Sequence, residues 1–276
     1  MFQWLARFIF LLAWVSPSFT QRLDLHRHRK PSNFTVDTKL MLSQGGQDAL
    51  LWDKMFNHDV QFETGTFVEF GARNGKSESN TFFFENQLLW HGLLLEAIPK
   101  EQKDIGTNRP RSAVLDGAVC ESNKKVDFSI AGIGGWSGRA EVYDESRKNN
   151  LVETISVACF TLTTLLELFG IRHVSYLSVD TEGSELQALK GFPWGNVTVD
   201  VVGVEVLTGR PERKAKESDL LSYMASVGME IWIDHQFAED TKDTFFVPAA
   251  KTLRNLNNYN KFLGAKNNCK ILQRCL

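Results

Sequence analysis

The sequence predicts one α/β domain built on a doubly wound, mostly parallel sheet that closes with an antiparallel hairpin. Three observations predict it. Short, nearly continuous apolar runs alternate with helical segments from residue 66 to 227, the pattern of parallel βαβ units buried on both faces. A glycine-bearing turn ends the first strand and opens a helix. Two extended segments near the end, 229–234 and 244–247, are joined by polar residues.

The first strand is 66–72 (TFVEFGA), followed by a helix over 77–90 with Ser77 or Ser79 as its cap and Phe82, Phe83, Leu88 and Leu89 apolar. Residues 92–97 (GLLLEA) form the second strand, Pro99 opens a polar helix, and 113–119 is the third strand. A less regular stretch, including 126–130 and the glycine-rich 132–138, reads as an insertion or flap. Residues 155–160 are extended, 162–169 form a short helix ended by Gly170, and 174–179 are a further buried strand. A helix over 184–190, the strongest β run at 199–206 and a helix over 217–227 stopped by Gly228 precede the hairpin. No repeat or composition break marks a second domain. The expected layout is an N-terminal segment 1–20, a basic polar linker 21–40, the domain 41–250 and a polar tail 251–276.

The 276 residues are 43% hydrophobic and 23% charged, an ordinary globular composition. With 31 basic and 33 acidic residues the net charge is -2, which excludes the basic footprint of a nucleic-acid binder. Arg7, the apolar run 8–15 and the small residues Ser16-Pro17-Ser18 follow the order of a secretory signal peptide. The run is shorter than the ~20 residues a membrane span takes, so membrane contact is expected only through the N-terminus. A buried or amphipathic helix and an uncleaved anchor are the alternatives, and the basic run 26–30 opposes translocation. The expected location is the ER or Golgi lumen, or outside the cell. The four cysteines lack zinc spacing; an oxidising compartment pairs Cys120 with Cys159 and Cys269 with Cys275, and the alternative is four buried thiols. Two N-glycosylation tripeptides occur, Asn33-Phe34-Thr35 and Asn196-Val197-Thr198.

The chemistry concentrates at strand ends. Gly71, Ala72 and Gly75 follow the first strand, where glycine lets the backbone approach a ligand and helix N–H groups are open. Glu96 ends the second strand 21 residues after Gly75, where a dinucleotide fold places the carboxylate that accepts the ribose hydroxyls. A solvated loop acid is the alternative. Asp116 suits an adenine amino group or a simple turn. Asp180, Glu182 and Glu185 crowd the end of the fourth strand; Glu185 is read as a helix cap. With strand order 3-2-1-4-5, Gly71 and Asp180 face each other across a crevice. Glu205 lies in an apolar run and needs a partner. His235 is a candidate base or a structural histidine. The missing GxGxxG disfavours a nicotinamide-dependent dehydrogenase.

Five motifs in order resemble the FkbM-type methyltransferases that use S-adenosylmethionine (SAM). They are Glu69 to Gly75, Ser79-Asn80-Thr81, Trp90 to Glu96, Ser178 to Phe192 and Val204-Glu205-Val206. Ser79-Asn80-Thr81, with the upstream SQGGQD of residues 43–48, is further similar to the animal Star-like branch, associated with the secretory pathway and protein export. The resemblance implies a Rossmann-like seven-stranded sheet of the class I methyltransferase type, SAM as donor and transfer to oxygen. The acceptor would be a hydroxyl or carboxyl of a small molecule, glycan or lipid. Carried over, Glu69, Gly71, Ala72 and Gly75 hold the methionine part of SAM, Glu96 the ribose, Asp116 and Ala118 flank adenine, and Asp180 and Glu182 sit at the transfer site. No metal is implied. The chain departs from most members at Glu69, usually Asp, and at Arg73, usually Asn. A non-catalytic Star-like protein that handles secretory cargo is the alternative.

Overall fold

The computed structural model describes residues 34–57, 65–132, 137–141, 149–206, 211–233 and 243–249. The expected signal segment, the Cys269–Cys275 pair, Asn33, His235 and the tail from 251 lie outside them.

In chain order the strands are β1 (Thr66–Phe70), β2 (His91–Glu96), β3 (Ala113–Asp116), β4 (Ala118–Val119), β5 (Lys124–Ala131), β6 (Gly138–Arg139), β7 (Leu151–Phe160), β8 (His173–Val179), β9 (Thr198–Glu205), β10 (Met229–Ile233) and β11 (Asp243–Pro248). Seven of them form one sheet in the order β10-β11-β9-β8-β1-β2-β3. The neighbours from β9 through β8, β1 and β2 to β3 pair in parallel, whereas β11 is antiparallel to both β9 and β10. The fold is therefore mixed α/β around a large sheet, with β11 running against the rest.

Strand alternation sorts the core into two layers. Val68, Leu93, Leu95, Leu177 and Val202 pack with Leu162, Leu165 and Leu166 of the helix Leu162–Phe169. Phe67, Leu94, Tyr176, Val201 and Phe245 pack on the other face with Leu51, Trp52, Phe83 and Phe84. Phe34, Val36 and Leu40, read in the sequence as linker, lie against this second layer.

Three expectations need correction. The strand expected over 113–119 is two strands, because the chain breaks at Gly117 (φ 146°), where a Cβ would sit 2.7 Å from the Ala158 carbonyl oxygen. The helix expected from 77 begins only at Phe82, since the residues before it bond elsewhere. The stretch read as a flap contains a second, four-stranded sheet, β4-β7-β5-β6, with β5 and β7 antiparallel over most of their length. Cys120 and Cys159 form a disulfide that ties the end of β4 to β7. Closing that loop, 39 residues in sequence separation, is worth about 4 kcal/mol in the chain-entropy estimate.

Candidate functional site

Parallel strands bring all their C-terminal ends to one edge, and the turn after β1 lies in the middle of it. Gly71 takes φ 69°, and a Cβ there would lie 2.8 Å from the backbone oxygen of Asp180. Only glycine permits that approach without strain. On the other side, the Ala72 N–H donates to the Leu95 carbonyl (3.2 Å) and the Arg73 N–H to Glu96 Oε2 (2.7 Å). The turn thus sits between Glu96 and Asp180, as the order of strands requires. Arg73 has φ 49° and Glu78 φ 61°, and their side chains pair with each other.

Glu96 is only 4% exposed. Its Oε1 accepts from the Ile98 N–H at 2.8 Å. Burial pushes its pKa up to about 7, and the N–H groups of Ile98 and Arg73 hold it back from rising further. Asp116 is its register partner on β3 and is exposed, with partial burial raising its pKa. Ala118 turns into the second sheet, where it packs with Cys120, Val126, Val157 and Cys159.

Beneath the turn lies a buried ionic network. Glu69 is 2% exposed; its Oε1 accepts from the Asn80 N–H (2.7 Å), and its Oε2 from Ser79 Oγ (2.9 Å) and Thr81 Oγ1 (2.5 Å). Arg109, buried, donates through Nε to Glu85 Oε2 (2.7 Å) and through Nη1 to Glu69 Oε2 (3.4 Å), Gly75 O (3.2 Å) and Ser79 Oγ (3.0 Å). Its Nη2 donates to Thr81 Oγ1 at 2.8 Å. Ser79-Asn80-Thr81 is therefore committed to Glu69, which explains the late helix start. Glu69 is buried, with its carboxylate bonded to Ser79, Asn80, Thr81 and Arg109. Arg109 and Glu85 escaped the sequence reading; an arginine in a polar segment 40 residues from its partner carries no local signal.

Asp180, Glu182 and Glu205 each bring a carboxylate oxygen within 4.8 Å of the others. Burial pushes the Asp180 pKa well above its ordinary value, and Glu205, Glu182, Asp243 and Glu185 add to the rise. Asp243, the register partner of Glu205 on β11, is pushed up to about 6 by burial, with a hydrogen bond from Gln47 opposing. Gln47 belongs to the SQGGQD segment, and Asp243 had no sequence motif of its own. Glu185 Oε1 accepts from the N–H groups of Thr181 (3.2 Å) and Gly183 (2.8 Å), which lie before the helix, so it braces the preceding turn rather than capping the helix as expected. A Cβ on Gly138 of β6 would lie 3.4 Å from the Glu182 carbonyl oxygen, so the second sheet reaches over this corner. Such a cluster is able to bridge a cation, accept a proton or orient a hydroxyl.

A cavity of about 310 Å³ lies at the opposite sheet edge, lined by Leu166, Glu167, Arg172, Pro193, Asn196 and Val197. No described helix is long and apolar enough to cross a membrane.

The model of the methyltransferase FkbM domain matches residues 69–231, more than half of the chain. Among solved structures, the chain is similar to the methyltransferase FkbM of Methylobacillus flagellatus KT, with TM-score 0.43 and 13% identity over 67% of this chain. The match spans 43% of the Methylobacillus protein. A provisionally assigned RNA methyltransferase of Pyrococcus horikoshii gives TM-score 0.37 and 12% identity over 87% of this chain and 95% of its own. No curated protein matches the sequence.

Proposed function

Because the chain belongs to the FkbM methyltransferase family, we propose that it is a SAM-dependent methyltransferase acting on an oxygen acceptor. The observation that carries this reading is the β1 turn, where Gly71 leaves no room for a side chain between the Glu96 and Asp180 sides of one sheet edge. A carboxylate offers about four acceptor sites. The Arg73, Ala97 and Ile98 N–H groups take part of that capacity, and the remainder would go to the ribose edge of SAM. Asp116 borders the same corner.

SAM would supply an activated methyl group. The protein supplies alignment, which is worth up to roughly 7–11 kcal/mol of a bimolecular barrier. The raised pKa of Asp180 suits a group that takes up or shares the proton of an acceptor hydroxyl. Glu69 and Arg109 hold the turn through their shared hydroxyl and N–H network. Small molecules, glycans and lipids are the acceptor classes proposed. The disulfide supports an oxidising compartment, the secretory lumen or the exterior.

A second reading is a Star-like protein that keeps the fold to handle secretory cargo. The near-complete burial of Glu96 and the ion pair that engages Arg73 favour it. Calorimetric titration of the folded chain with SAM separates the two. Micromolar binding, with methyl transfer lost and binding kept in Asp180→Ala, supports the enzyme. A folded chain that gives no heat of binding rejects it.

A further inference from the structure

We infer that Asn196 is an N-glycosylation site, modified by a lipid-pyrophosphate-linked oligosaccharide in the secretory lumen. In that reaction the Asn196 amide nitrogen forms a bond to C1 of the first sugar. The C1–oxygen bond to the lipid pyrophosphate breaks, the pyrophosphate leaves with its electron pair, and one amide proton goes to solvent. Asn196-Val197-Thr198 supplies the acceptor pattern.

The fold supplies what the pattern alone lacks. A glycan attached to the nascent chain must stay outside the core once the chain folds. Asn196 meets that demand. It is exposed on a tight turn in which its N–H donates to the Pro193 carbonyl (3.0 Å) and Gly195 takes φ 90°. Positive φ at that third turn position calls for glycine. Nothing lies within 4 Å of where a Gly195 Cβ would be, and Asn196 itself borders the 310 Å³ cavity, so bulk has room there. Trp194 pins the turn from inside: its Nε1 donates to the Leu189 carbonyl and to the Tyr223 hydroxyl, each at 3.1 Å, and its ring packs on Phe192. The polar residue is thereby held outward and the aromatic one inward.

Position and compartment agree. Asn196 precedes β9, whose far end carries Glu205 of the acid cluster. The eight residues of β9 span about 23 Å at ~3.3 Å per step, so a glycan here leaves the candidate site open. The Cys120–Cys159 disulfide belongs to the oxidising compartments in which such transfer occurs. The inference rests on the lumenal location proposed above and not on methyl transfer.

The test is the full chain expressed in a eukaryotic secretory cell, with electrophoretic mobility read before and after peptide-N-glycosidase. Peptide mass spectrometry reads Asn-to-Asp conversion at 196. The expected result is conversion at 196, a single mobility step lost in Asn196→Gln and Thr198→Ala, and the step kept in Thr198→Ser. The serine variant retains a hydroxyl at the position 2.8 Å from His173 Nδ1, so a folding defect in the alanine variant does not decide the outcome. An exported chain unmodified at 196 overturns the inference. A chain that stays in the cytosol unmodified overturns it together with the proposed location. Neither result bears on SAM binding, which the calorimetric titration reads separately.

Discussion

Two groups of acids, one buried and one half-buried, lie near the C-terminal edge of the sheet, and they are built in opposite ways. Glu69 and Glu85, beneath the β1 turn, share the buried guanidinium of Arg109 and a ring of hydroxyl and amide donors. Asp180, Glu182 and Glu205, at the β8 and β9 ends, lie within 4.8 Å of one another, and the nearby carboxylates all push the Asp180 pKa upward. The first group is matched to donors, one guanidinium and several hydroxyl and N–H groups serving two carboxylates, as in structural networks. The second concentrates like charge, which costs stability and persists where chemistry uses it. The difference fits a scaffold beneath the β1 turn and the proposed reactive group at the β8 and β9 ends.

The largest expected effect breaks the matched side. Arg109→Met strands two buried carboxylates and should cost about 3–5 kcal/mol in denaturant unfolding. Arg109→Lys keeps charge but not the fork that reaches Glu69, Glu85 and Gly75, and should recover only part of it. A loss under 1 kcal/mol for the methionine variant would erase the contrast.

Next comes pH. Glu96 has its folded pKa raised from 4.5 to about 7, so the folded state binds the extra proton. Its stabilising contribution is full below 4.5 and is lost as pH rises to 7, up to roughly 3 kcal/mol. Asp243 contributes in the same direction between 3.8 and about 6. Unfolding free energies at pH 5 and pH 8 read the sum, and Glu96→Gln should remove its share of the decline. A smaller effect probes the crowded side. Asp180→Asn replaces a carboxyl whose charged form burial and its neighbours disfavour, and should leave stability unchanged or raise it by about 1 kcal/mol, while methyl transfer falls. Destabilisation by Asp180→Asn comparable to that of Arg109→Met would make the two sides alike.

Much of this arrangement is legible in the sequence, and the remainder is hidden for physical reasons. The β1 turn and the placement of Glu96 and Asp180 on its two sides follow from strand alternation and parallel connectivity, whereas the Cys120–Cys159 pair is legible only on the premise of an oxidising compartment. The Glu69–Arg109–Glu85 network does not, because its members come from separate elements and meet only after packing. Gly117 read as part of a strand, since its break depends on the approach of Ala158 from the second sheet. That sheet itself depends on the long-range register of β5 with β7, which apolar periodicity does not encode. Ser79 reads as a helix cap because nothing local shows that Glu69 claims its hydroxyl.

The most direct test of the account is SAM affinity measured at pH 6 and pH 8 for the native chain and for Glu96→Gln. Ribose hydroxyls donate to the ionised carboxylate, so native affinity should rise up to about tenfold across a pKa of about 7, and the variant should bind weakly and without that slope. Equal native affinity at the two pH values, or a native slope that survives in Glu96→Gln, would contradict a cofactor seated on Glu96.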